Sequence, residues 1–69
     1  MDRITHAERV VQFLTERPHS AFDDDQIAGY LQIKRRQIVN GECRLLAQRK
    51  VIQRFLGPEG KLVNRISSP

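Results

Sequence analysis

The sequence predicts a small α+β fold, mostly α, with three helices and then a C-terminal two-stranded β-hairpin. Apolar residues recur at helical spacing in successive stretches before Lys50. Capping residues, proline and tight-turn residues separate those stretches. After Lys50, two β-prone runs flank Gly57-Pro58-Glu59-Gly60, the pattern of a hairpin. The 69 residues make one domain at most, residues 1–66, with Ser67-Ser68-Pro69 as a frayed tail. A chain of this size buries only about 60% of its unfolded surface, so a deep substrate cleft is not expected.

Thr5-His6-Ala7-Glu8 matches a capping box, and Ala7, Val10, Val11 and Leu14 follow at helical spacing. The first helix is expected at about 5–17, ending at Arg17 because a residue before proline is pushed out of the α region. His19 to Phe22 could add one short strand. Asp23 is a good N-cap with Gln26 three residues on, and Phe22 with Ile27 forms a hydrophobic staple. The Asp23-Asp24-Asp25 run places negative charge at the positive end of the second helix, about 24–31, with Ile27, Ala28 and Leu31 inward. A metal site would need those carboxylates to converge, whereas consecutive helical residues diverge.

The third helix is expected at about 34–50, after a short turn through Gln32 and Ile33. Asn40-Gly41 is a turn dipeptide, and a mid-helix glycine costs ~1 kcal/mol against alanine. The apolar phase nonetheless continues across it through Val39, Cys43 and Leu46, and favours one unbroken helix. Val51 to Leu56 and Lys61 to Ile66 are the hairpin strands, within residues 51–66.

Charge is distributed unevenly. Residues 1–33 hold three basic and six acidic side chains, a net of −3, and residues 34–69 hold nine basic and two acidic, a net of +7. A basic half suits a polyanionic partner, of which nucleic acid is the commonest. The third helix carries Arg36, Gln37, Asn40 and Arg44 away from its apolar face, and these residue types read base edges and phosphates in a DNA major groove.

Helix, short strand, helix, tight turn, helix and hairpin, in that order, resemble the winged helix-turn-helix domain. The likeness covers about residues 5–66. At residue level it rests on Val39-Asn40-x-x-Cys43-Arg44-x-Leu46, followed by Val51-Ile52 and Arg54, which is similar to segments of small bacterial winged-helix domains, some of them stand-alone. Where many such domains end the recognition helix on glycine, this chain has Lys50.

The resemblance implies double-stranded DNA as partner. The third helix would enter the major groove, and the hairpin, or wing, would touch the adjacent backbone or minor groove. Arg36, Gln37, Asn40 and Arg44 would face the groove, with Gly41 allowing close backbone approach. Lys34 and Arg35 would contact phosphates at the helix start. Arg54, Lys61 and Arg65 would form a basic wing, and Asn64 either caps the hairpin or touches DNA. The expected role is a transcription regulator or an accessory to a DNA-acting system, cytoplasmic and nucleoid-associated when bound. A further protein or a weak homodimer contact is a secondary partner. The rival reading is a protein-interaction adapter on the same scaffold.

Other chemistry finds little support. Cys43 sits on an apolar face and reads as a buried structural thiol, since catalytic thiols need exposure and a base. His6 and His19 do not pair with it at zinc-ligand spacing, and no nucleotide-binding or hydrolase motif is present. No enzyme activity, cofactor or metal is expected. Phe13 and Phe22 have core roles and Phe55 stands alone, a poor stacking platform for single strands. One cysteine excludes an internal disulfide and suits a reducing compartment. No apolar run approaches the ~20 residues of a membrane span, and the N-terminus lacks a signal peptide's apolar core.

Overall fold

Three helices carry the apolar stripes, and a three-stranded antiparallel sheet closes one side of them. The computed structural model describes residues 4–67. In chain order the elements are α1 (His6–Thr15), β1 (Phe22–Asp23), α2 (Asp24–Leu31), α3 (Arg36–Gln48), β2 (Ile52–Leu56) and β3 (Leu62–Ile66). Ser68 and Pro69 of the expected tail lie outside the described residues. Ser67 is tied down, its N–H donating to the Val51 carbonyl at 3.2 Å.

The Thr5 hydroxyl caps α1 by accepting from the Glu8 N–H at 3.1 Å. The Glu8 carboxylate accepts from the Thr5 hydroxyl rather than from its backbone, so the box is only half formed. α1 ends two residues before the expected Arg17, in a tighter turn where the Arg17 N–H reaches the Leu14 carbonyl. At α2 the box is complete: Asp23 accepts from the Gln26 N–H at 2.7 Å, and the Gln26 side chain accepts from the Asp23 N–H at 3.0 Å.

Both α2 and α3 end on left-handed residues that are not glycine. Gln32 has φ 57° and Lys50 has φ 62°. In each case the following N–H reaches back five residues, Ile33 to Ala28 and Val51 to Leu46, each at 2.9 Å. This is the Schellman closure, usually built on glycine because L side chains crowd the left-handed region. The closure at Gln32 drives Ile33 into the core and leaves Lys34 and Arg35 outside any helix. α3 therefore starts at Arg36 rather than Lys34 and ends at Gln48 rather than Lys50. It runs unbroken through Gly41.

The expected two-stranded hairpin is part of a larger sheet. β1 adds to it in the order β1-β3-β2, making β3 central. Asn64 sits mid-sheet, paired in register with Phe22 on one side and Arg54 on the other. The core gathers Val10, Phe13 and Leu14 from α1, Ile27 and Ala28 from α2, and Ile33 from the turn. Val39, Cys43 and Leu46 of α3 and Ile52 of β2 complete it. Phe13, Phe22 and Tyr30 form an aromatic cluster at its edge, with centroids 4.9–5.9 Å apart. No helix among the described residues is long and apolar enough to cross a membrane.

Candidate nucleic-acid interface

At 3.6 residues per turn, burying Val39, Cys43 and Leu46 fixes what α3 shows outward. The opposite ridge is Gln37, Gly41, Arg44 and Gln48, all exposed. Gln37 and Arg44 thus stand where the sequence put them, and Gln48 joins them one turn beyond. A Cβ built on Gly41 meets no atom within 4 Å, so packing within the chain does not require glycine there. Ile38 and Leu45 border this ridge and are also exposed.

Between the start of α2, α3 and the β2–β3 hairpin runs a groove of about 500 Å³ lined by residues that include Asp24, Asp25, Arg36, Gln37, Lys61 and Leu62. Asp24 organises its floor. Arg54 grips the Asp24 carboxylate at both oxygens, Nη1 to Oδ1 at 2.7 Å and Nη2 to Oδ2 at 3.0 Å. Asn40 donates to Asp24 Oδ2 at 3.0 Å and Asn64 donates to Asp24 Oδ1 at 2.9 Å. Asn64 also donates to the Phe22 carbonyl at 3.0 Å and accepts from Arg54 at 2.8 Å. One carboxylate therefore ties α2 to α3 and to both hairpin strands.

The electrostatics follow from this geometry. Burial opposes the ionisation of Asp24, but the hydrogen bonds from Arg54, Asn64 and Asn40 outweigh it and hold the carboxyl below its ordinary value. The same contact with Asp24 raises the Arg54 pKa against the opposing effect of burial. Arg54 and Asp24 are 9% and 16% exposed at their side chains, so bulk water screens the pair weakly. The Cys43 thiol is pushed up to about 12 by burial, with Asp24 adding to the effect, so it stays protonated and unreactive at neutral pH.

Two of the expected DNA contacts are thereby reassigned. Arg54 is not an exposed wing cation, because its guanidinium is spent on Asp24 and Asn64. Asn40 is half-buried and turned toward α2 instead of the outer ridge. Asn64, left open between capping and DNA contact, is fully buried and does neither. Arg65 also departs from expectation: strand alternation places it with Gln53 and Phe55, on the hairpin face opposite Arg54 and Asn64. Its Nε is buried and has no hydrogen-bond partner.

Arg36 remains exposed and pairs with Asp25 at 3.2 Å. Lys34 and Arg35 are exposed in the extended turn before α3, and Lys61 is exposed beside the groove. The three aspartates do diverge: Asp23 caps, Asp24 binds the buried network, and Asp25 meets Arg36. Comparison with known protein families, curated proteins and solved structures finds no match for this chain.

Proposed function

We propose that this domain is a winged helix-turn-helix that binds double-stranded DNA, with α3 as its recognition helix and the β2–β3 hairpin as its wing. The observation that carries the reading is the outer ridge of α3. Gln37 and Arg44 flank a glycine that nothing inside the fold requires, on a helix whose other face is fully committed to the core. In this reading the exposed Lys34, Arg35 and Lys61 would position the duplex through phosphates, and the exposed Gln37, Arg44 and Arg36 would read bases. The element order, with α2 and α3 joined by the short turn 32–35, supports the same reading. Its role would be a transcription regulator or an accessory to a DNA-acting system. Non-specific affinity would lie at roughly 10⁻⁴–10⁻⁶ M at physiological salt.

A residue-resolved NMR titration with a mixed-sequence duplex at low and moderate salt tests this. Shifts at 34–48 and around Lys61 that fade as salt rises are expected. Their absence at low salt would move the assignment to a protein-interaction adapter. A specific observation favours that second reading: Leu45, Leu56 and Leu62 are exposed, Leu56 at 68%. An adapter would use these apolar side chains, and their substitution by serine would abolish partner binding.

A further inference from the structure

We infer that Asp25 is a positioning residue for Arg36, holding one side of its guanidinium so that the other side is offered to a guanine. The inference rests on the DNA-binding reading of α3 and identifies which contact gives that reading its base preference.

Asp25 lies in the first turn of α2, and Arg36 is the first residue of α3. Arg36 Nη1 sits 3.3 and 3.2 Å from the two carboxylate oxygens of Asp25. Among the described residues, its Nη2 and Nε have no protein partner. Guanine presents O6 and N7 side by side in the major groove, and a bidentate contact needs two donors on one edge of the guanidinium. With Nη1 occupied, the Nε–Nη2 edge is the one left.

The neighbouring acids are not available for this task. Asp23 is committed to the Gln26 N–H, and Asp24 to Arg54, Asn40 and Asn64. The Asp25 and Arg36 side chains are 50% and 67% exposed, so a duplex can reach them. An ion pair this exposed adds little to folding; its consequence lies in where the guanidinium points. It has a second effect on phosphates. A half-exposed carboxylate at the groove repels them, and it occupies an arginine that would otherwise bind them indiscriminately. Asp25 thus trades sequence-independent affinity for discrimination.

The test is selection from a duplex library with a randomised core, using the wild type, Asp25→Asn, Asp25→Glu and Arg36→Ala, alongside salt-dependent binding to one mixed-sequence duplex. In the wild type, selected sites should contain a guanine whose preference disappears in Arg36→Ala, weakens in Asp25→Asn and survives in Asp25→Glu. A merely structural role for Asp25 would not move one base position selectively. On the mixed duplex, Asp25→Asn should bind more tightly at low salt. Its log K against log salt slope should steepen by about 0.9, an extra loss of about threefold between 50 and 200 mM, as Arg36 gains a phosphate. Unchanged guanine preference and slope in Asp25→Asn would overturn the inference, as would selected sites with no Arg36-dependent guanine, while leaving DNA binding intact. A wild type that retains no duplex at all would overturn the DNA-binding reading itself, and this inference with it.

Discussion

Replacing Asp24 by Asn should cost the domain about 3 kcal/mol of stability. Removing one member of a buried ion pair costs ~3–5 kcal/mol, because the remaining charge is left without compensation. Here the remaining charge is Arg54, whose side chain is 9% exposed. Asparagine keeps one acceptor oxygen, so the lower end applies. It cannot accept both Arg54 bonds together with those from Asn40 and Asn64. A domain of this size has a total stability of roughly 3–10 kcal/mol at ~0.05–0.15 kcal/mol per residue, so the loss is a large fraction of the whole. At ~4–8 °C per kcal/mol the melting temperature should fall by roughly 12–24 °C.

Urea unfolding followed by circular dichroism would measure this in a cycle of Asp24→Asn, Arg54→Gln and the double variant. The double variant removes both charges and leaves an amide network, so it should recover at least about 2 kcal/mol relative to the sum of the singles. Acid titration of stability probes the same pair independently. The folded pKa of Asp24 is below its unfolded value. Its contribution is therefore present above the ordinary carboxylate range, near pH 3.9, and is lost as pH falls through the folded value. The wild type should lose stability more steeply than Asp24→Asn in that window. A single-variant cost below about 1 kcal/mol, or additive singles, would refute the view that Asp24 and Arg54 act as one buried unit. Arg54 would then return to the candidate DNA contacts of the hairpin.

Lys50→Gly should stabilise by about 0.5–1 kcal/mol, because the left-handed strain at φ 62° exceeds the extra unfolded-state freedom of glycine; a raised urea midpoint checks it. Gly41→Ala should stabilise by ~1 kcal/mol, since its Cβ meets nothing, yet weaken duplex binding in a fluorescence-anisotropy titration if the backbone there approaches DNA. Arg44→Ala should weaken duplex binding in the same titration with a melting temperature within ~2 °C of wild type, because its exposed side chain has no partner among the described residues. For Cys43 the folded pKa, about 12, lies above the ordinary thiol value of 9.0, so its contribution is whole below pH 9.0 and lost as pH rises toward 12. The urea midpoint of Cys43→Ala should accordingly fall less between about pH 8 and pH 11 than that of the wild type.

The helix phases were legible because burial follows the 3.6-residue period: Val10, Leu14, Ile27, Val39, Cys43 and Leu46 are all inside. The Asp23 cap was legible because its partner is three residues away. The ends of α3 were less so. A left-handed closure is usually announced by glycine, and Gln32 and Lys50 give no such sign. β1 was only half legible: the sequence places a short strand at His19 to Phe22, whereas Phe22–Asp23 form it, because that is where β3 lies alongside. The buried network was missed for a different reason. Asp24 meets partners 16, 30 and 40 residues away, and no local pattern connects them. One signal was nevertheless available. Ile52, Arg54 and Leu56 alternate on β2, and Leu62, Asn64 and Ile66 on β3. A charged and an amide residue standing in register at inward positions require a buried counterpart.

That network also changes the meaning of the charge asymmetry. A net of +7 over residues 34–69 suggests a broad cationic surface, but the acidic first half reaches across to it. Asp24 neutralises Arg54 within the fold, and Asp25 engages Arg36 at the surface. Arg65 lies on the far face of the hairpin, and Arg49 and Lys50 close α3 at the end away from Arg36. Among the described residues this leaves Lys34, Arg35, Arg44 and Lys61 as unpaired cations on the side of α3 and the groove. With Arg44 assigned to base edges, three phosphate contacts imply a slope of roughly −2.7 in log K against log salt, and freeing Arg36 and Arg54 as well would imply roughly −4.5. A measured slope near the larger value would mean that the internal ion pairs open when DNA binds. A slope near the smaller one would mean that the domain meets its partner with the groove already set, its acids holding two arginines away from indiscriminate use.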